Sequence, residues 1–131
     1  MQILLFSFFF GTEKPSKPIA IQQITATSTS MQLSWTPGYD GNLPITEYTL
    51  QIKDVNFGSW ATHSVVGTNM FIVRKLRPNG RYMCRVRAHN KLGYGQYSET
   101  EILSTHEEGN KRKNIYEEEQ KDYNLVMLFN R

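Results

Sequence analysis

Tyr82, Cys84, Val86 and Ala88 fall on every second position of the stretch 76–98 and alternate with Met83, Arg85, Arg87 and His89. A repeat of two sends successive side chains to opposite faces of an extended chain, so this segment reads as a strand with one apolar side and one basic side. Pro78-Asn79-Gly80 before it and the run from Asn90 to Gly95 after it are turn-forming, which delimits the strand at both ends. The apolar side has to be buried, and the remaining chain has to supply the layer that covers it.

The chain has 131 residues, 39% of them hydrophobic, enough for one domain with a core and some additional tail. Its formal charge of +3 is unevenly placed. Residues 15–104 hold nine Lys/Arg against five Asp/Glu, whereas residues 105–131 hold five against six, so the basic excess belongs to the centre. A single cysteine allows no intrachain disulfide and no thiolate metal cluster.

Met1–Phe10 is an apolar run much shorter than the roughly 20 residues of a membrane-spanning helix. Its length suits the apolar region of a secretory signal, but no Lys or Arg precedes it and no small-residue cleavage site follows. A signal and an artefact of how the chain begins both stay open. Residues 11–17, with Pro15 and Pro18 bracketing Ser16 and Lys17, read as a polar extended linker, and the domain is expected to run from 18 to 104.

From Pro18 onward the patterns are those of strands. Ile19–Ala26 is β-rich but spaces Ile21 and Ile24 three apart, which suits an edge strand with a bulge. Met31, Leu33 and Trp35 alternate with Gln32 and Ser34; after a loop from Thr36 to Pro44, Tyr48, Leu50 and Ile52 alternate with Glu47, Thr49, Gln51 and Lys53. Trp60–Val66 is a shorter strand, Phe71 and Val73 point the same way as Leu76, and Tyr97–Ser104 supplies the last strand with Ile102 and Thr100 inward. Seven short strands at regular spacing, with no helical period before residue 105, predict an all-β, seven-stranded antiparallel two-sheet sandwich. Trp35, Tyr48, Leu76, Tyr82, Cys84 and Val86 are its expected core.

These residues resemble a fibronectin type III domain of immunoglobulin-like fold over residues 18–104. The likeness rests on Trp35, the run Asp40-Gly41-x-x-Pro44-Ile45-x-x-Tyr48, Trp60, and Leu76-x-Pro78-x-x-x-Tyr82 continuing to Asn90-x-x-Gly93-x-Gly95-x-x-Ser98. It implies three strands facing four, with Tyr82 as a tyrosine corner whose hydroxyl bonds to backbone near the preceding turn. The wording of residues 35–41 is similar to repeats of immunoglobulin-superfamily neural adhesion molecules of the Down syndrome cell adhesion molecule kind and of related receptor tyrosine kinases. Titin-like muscle proteins use a similar Asp-Gly-x-x-Pro-Ile-x-x-Tyr pattern.

No chemistry-bearing constellation emerges. Gly93-Tyr-Gly95-Gln-Tyr-Ser98 has Ser98 where a dinucleotide loop has its third glycine, and a strand is expected after it. His63, His89 and His106 lie on different segments without metal-ligand spacing and read as solvated surface histidines; Cys84 shares the buried face of Tyr82 and Val86. The expectation is therefore no enzyme, no cofactor and no metal.

Two surfaces are candidates for a partner. Between Arg74 and Lys91 stand seven basic residues and no carboxylate. In the family's sheet order Arg85 and Arg87 lie beside Gln51 and Lys53, with Tyr94 and Tyr97 close enough to stack on the guanidiniums. One reading is structural, as in the basic ladder of related cytokine-receptor domains; the other is a dock for a sulfated glycan, an acidic protein or lipid head groups. Nucleic acid fits poorly, because the resemblance implies a module with no groove-reading element. The second surface is made of loops: Tyr39, Asp40, Asn42 and Leu43 emerge at the same end as Asn90–Gln96.

There is no Arg-Gly-Asp sequence and no Asn-x-Ser/Thr acceptor. Residues 105–131 carry charge in blocks, Glu107-Glu108, Lys111-Arg112-Lys113 and Glu117-Glu118-Glu119, and read as a disordered tail or a marginal helix over 114–128. The function expected is a protein-binding or spacer module of an extracellular adhesion molecule or receptor, with a cytoplasmic module of a muscle scaffold as the alternative.

Overall fold

The computed structural model describes residues 11–109. The readings of Met1–Phe10 as a signal and of 114–128 as a helix lie outside the described residues.

Eight strands follow in order: β1 (Ile19–Ala26), β2 (Met31–Thr36), β3 (Glu47–Asp54), β4 (Ala61–Val66), β5 (Met70–Val73), β6 (Arg81–Asn90), β7 (Gly93–Tyr94) and β8 (Glu101–Ser104). They form two antiparallel sheets, one of three strands in the order β1-β2-β5 and one of five in which β3 and β6 are central, β4 lies outside β3, and β7 and β8 share the far edge of β6. The seven strands expected from the sequence are all present. The eighth is the two-residue β7, where the backbone after Asn90 turns back to pair with His89 and Asn90.

The period-two patterns set which faces meet. Met31, Leu33 and Trp35 of β2 pack against Tyr48, Leu50 and Ile52 of β3 and Tyr82, Cys84, Val86 and Ala88 of β6, and all ten are buried. Trp35 and Tyr48 meet edge to face across the two sheets with centroids 5.3 Å apart. Ile21, Val65 and Val73 complete the core, with Leu76 packed against its margin from the turn after β5, not from within the strand. β1 carries register shifts either side of Gln22-Gln23, so Ile21 is buried while Ile24 is 49% exposed. The Tyr82 hydroxyl accepts the Arg77 backbone N–H at 2.7 Å, which makes the expected tyrosine corner and fixes the turn into β6.

Several expectations are corrected. The last strand is Glu101–Ser104, not Tyr97–Ser104, and Ile102 is 50% exposed while Leu103 packs on the core. Ile102 pairs with outward-facing Met83, and Leu103 with inward-facing Tyr82, so the β6 register sets the parity of β8. Thr100 is exposed, outside any strand. Residues 95–98 stay along β6 without regular pairing: the Gly95 N–H donates to Ala88 O and the Ser98 N–H to Val86 O, while Ser98 Oγ accepts the Val86 N–H. Trp60 falls just before β4. Of the histidines only His106 is exposed; His63 packs on Phe71 and His89 on Tyr94, at 4.9 and 4.4 Å between ring centroids.

Candidate interaction surfaces

The outer face of the five-stranded sheet is built by the odd-numbered residues of β6. Arg85 lies opposite Gln51, and its Nε donates to Gln51 Oε1 at 2.9 Å. Arg87 lies opposite Thr49, while Lys53 faces Met83 and is diagonal to Arg85, because the two strands run antiparallel. Tyr94 and Tyr97 do reach the guanidiniums. Arg85 Cζ sits 4.2 Å from the Trp60 ring centroid and 4.4 Å from that of Tyr97, and Arg87 Cζ sits 4.7 Å from Tyr97 and 4.0 Å from Tyr94. The order Trp60, Arg85, Tyr97, Arg87, Tyr94, His89 is a continuous stack of rings and cations.

Each layer has a backbone cause. Tyr97 is carried over β6 by the hydrogen bonds of residues 95–98, and Tyr94 by the β7 pairing. Thr49 points outward yet is only 6% exposed, consistent with the Arg87 side chain opposite it lying across the sheet. At the far end the Tyr94 hydroxyl donates to Glu47 Oε1 at 2.9 Å and Ser64 Oγ donates to Glu47 Oε2 at 3.0 Å. These two bonds, Tyr94 first, hold the Glu47 carboxyl below its ordinary value, with a smaller contribution from nearby His89. Trp60 was expected as a family mark without a place in this surface; its position outside every buried strand face was the available signal.

The loop end is held together by one side chain. Asn90, at the end of β6, is fully buried, and its Nδ2 donates to Asp40 O at 2.9 Å and to Glu13 O at 2.7 Å. Its Oδ1 accepts the Leu92 N–H. Asn90 continues the inward parity of Tyr82 to Ala88, so a polar residue on that side signals a buried fastener. Asp40 Oδ1 accepts the Asn42 N–H at 2.8 Å, and Gly41 and Asn42 both take positive φ. Tyr39 is 52% exposed, Asn42 is exposed and Leu43 half-buried.

Residues 11–17, expected as a linker, are strapped onto these loops. The Glu13 N–H donates to Gly41 O at 2.9 Å and the Ser16 N–H to Tyr39 O at 2.8 Å. A side chain at Gly41 would collide with the Glu13 carbonyl and one at Gly95 with that of Pro15, so the strap accounts for both glycines.

Neither surface carries catalytic geometry. Burial pushes the Cys84 thiol up to about 12, which leaves it protonated and unreactive. Among the described residues no three His, Cys, Asp or Glu side chains converge, and no helix is long and apolar enough to cross a membrane.

A family model described as the fibronectin type III domain matches residues 14–103. Mouse protein sidekick-2 is 39% identical over 97 residues, covering 71% of this chain and 4% of its own length. The Drosophila melanogaster cell adhesion molecule Dscam1 is 35% identical over 100 residues, covering 73% of this chain and 5% of its own. This chain thus spans about a twentieth of the length of such relatives. Among solved structures, domains A168–A170 of titin superpose with a TM-score of 0.66 at 26% identity, covering 73% of this chain and 34% of that one.

Proposed function

Since the chain belongs to the fibronectin type III family, we propose that it is a non-catalytic module of a longer cell-surface adhesion protein, acting as a spacer and as a protein-binding surface. What carries the reading is the 35% identity to a cell adhesion molecule across the sandwich. The threading of the chain supports the spacer role. The backbone enters at the loop end, where Glu13 and Ser16 bond to Gly41 and Tyr39. It leaves past the opposite turns, where the His106 N–H donates to Thr27 O and the Asn79 N–H to His106 O. Entry and exit lie at opposite ends of β6, whose ten residues span roughly 33 Å, so tension or register is passed along a rigid body.

Tyr39, Asp40, Asn42 and Leu43 form with Tyr94 the loop-end surface offered to a protein partner, and the Arg85–Arg87 face with Lys53 and Tyr97 forms a separate lateral surface. The pinned backbone of the loop end favours binding without ordering cost. The titin likeness, at 26% identity, supports a shared sandwich more than a shared compartment. The test is surface labelling of intact cells that express the parent transcript, with an antibody raised against residues 11–109. Staining before permeabilisation is expected; staining only after permeabilisation overturns the adhesion reading in favour of the muscle-scaffold one.

A further inference from the structure

We propose that the stack on the outer face of the five-stranded sheet is a binding surface for a linear sulfated glycan, recognised by the outward edges of the Arg85 and Arg87 guanidiniums. Both faces of each guanidinium are covered by rings, Trp60 and Tyr97 on Arg85 and Tyr97 and Tyr94 on Arg87. What a guanidinium so held still offers is its in-plane N–H fork, the geometry that matches a sulfate or carboxylate. Arg85 Nε donates to Gln51 and Arg87 Nε is buried without a partner, so what each side chain has left for a ligand is its terminal pair of Nη groups, which donate to no group among the described residues. Nor does a carboxylate neutralise them: the ion pairs among the described residues are Lys17–Glu99 and Arg77–Asp54. Two positive charges are thus held between rings with their terminal Nη donors unspent.

The arrangement is linear. Arg85 and Arg87 are two residues apart on one strand, roughly 6.6 Å along its axis, with Arg81 at its start on the same face and Lys53 opposite Met83. The outward carboxylate of this sheet, Glu47, sits at the far end and is already engaged by Tyr94 and Ser64. A polyanion lying along β6 meets cations without meeting that carboxylate. Beside the arginines Gln51 accepts from Arg85 and donates to Thr62 Oγ1 at 3.2 Å, which leaves the Thr62 hydroxyl hydrogen and the second Gln51 amide hydrogen for sugar hydroxyls. The aromatic faces that an acidic peptide would use for apolar anchors are spent on the guanidiniums, so the face favours a sulfated sugar chain over a protein segment or a bilayer.

The proposal takes its setting from the cell-surface reading, but it is tested in solution, so its failure leaves surface labelling untouched and intracellular staining leaves the binding result untouched. The full chain is titrated with a heparin-derived oligosaccharide while the arginine side-chain resonances are followed by NMR. Saturable shifts of the Arg85 and Arg87 side chains are expected. Arg85→Gln with Arg87→Gln should weaken binding at least about tenfold, and Arg74→Gln with Lys75→Gln, in the turn after β5, should change it by less than about threefold. If the double variant fails to fold, the wild-type resonances still decide. The proposal is overturned if those resonances stay fixed, if the chemically desulfated oligosaccharide binds equally, or if polyglutamate or anionic phospholipid vesicles displace the sulfated probe at lower concentration.

Discussion

The two sheets use the same alternation inward and different chemistry outward. On the three-stranded sheet the outward side chains of β2 and β5 are Gln32, Ser34, Met70 and Ile72, none of them charged, and Met70 and Ile72 are 40% and 44% exposed. On the five-stranded sheet the outward side chains of β6 form a second packed layer in which Arg85 and Arg87 are half-buried between rings. One sheet therefore has a core on one side only, and the other is packed on both. Substitutions ought to separate three environments: the shared interior, the ring-and-cation layer and the bare face.

The shared interior gives the largest effect. Trp35 is 2% exposed and touches both sheets, so Trp35→Ala is expected to cost about 3–5 kcal/mol in urea unfolding, enough to unfold a marginal domain. A cost below about 1 kcal/mol would mean that the sheets do not depend on a common core. Within β8 the boundary between inside and outside falls between neighbours. Leu103→Ala is expected to cost about 1.5–2.5 kcal/mol as a half-buried core contact, while Ile102→Ala stays within about 0.5 kcal/mol. Equal costs would erase the assigned parity.

The outer layers come next. Arg87 lies against two rings and opposite buried Thr49, so Arg87→Ala is expected to cost about 1–2 kcal/mol, whereas Gln32→Ala on the other sheet stays within about 0.5 kcal/mol. Matching values would reduce the ring-and-cation stack to surface decoration and remove the distinction between the two faces.

How far this was legible follows from which contacts are local. The periodicity of β2, β3 and β6 was readable because a face buried in one layer imposes period two whatever covers it. The tyrosine corner and the Tyr94 and Tyr97 stacking came from the family likeness, and the geometry agrees with both. The parity of Ile102 was not readable, because strand register depends on pairing between segments 19 residues apart that a single sequence does not specify, whereas the place of Lys53 follows from antiparallel direction once Arg85 stands opposite Gln51. Trp60 and Asn90 were legible in principle: one was a large ring without a core position, the other a polar side chain on a buried parity. The strap at residues 13–16 was hidden because its hydrogen bonds run from its own backbone to Gly41, Tyr39 and the Asn90 side chain, so its marks fall on distant residues and not on its own side chains.

The smallest effect tests the end of the stack. Glu47 is held below its ordinary value of 4.5 by the hydroxyls of Tyr94 and Ser64, so the unfolded chain binds this proton more tightly than the native one. Its contribution is therefore fully present above 4.5 and is lost as pH falls from 4.5 through the lowered native value. Asp54 and Glu99 are lowered as well, Asp54 chiefly by the Asn56 amide and Glu99 chiefly by Lys17, so acid destabilisation is shared and Glu47→Gln removes part of it. In Tm measured from neutral pH down to about 3, Glu47→Gln should start slightly lower and fall less steeply than wild type over the acid limb. Gln32→Glu, placed on the neutral face and met there by the Thr25 hydroxyl at 3.3 Å, should alter that limb less than Glu47→Gln does. Were Glu47→Gln to follow the wild-type curve, the Tyr94 hydroxyl would be bonding a carboxylate it does not stabilise, and the stack would end at Arg87 rather than at the sheet's far edge.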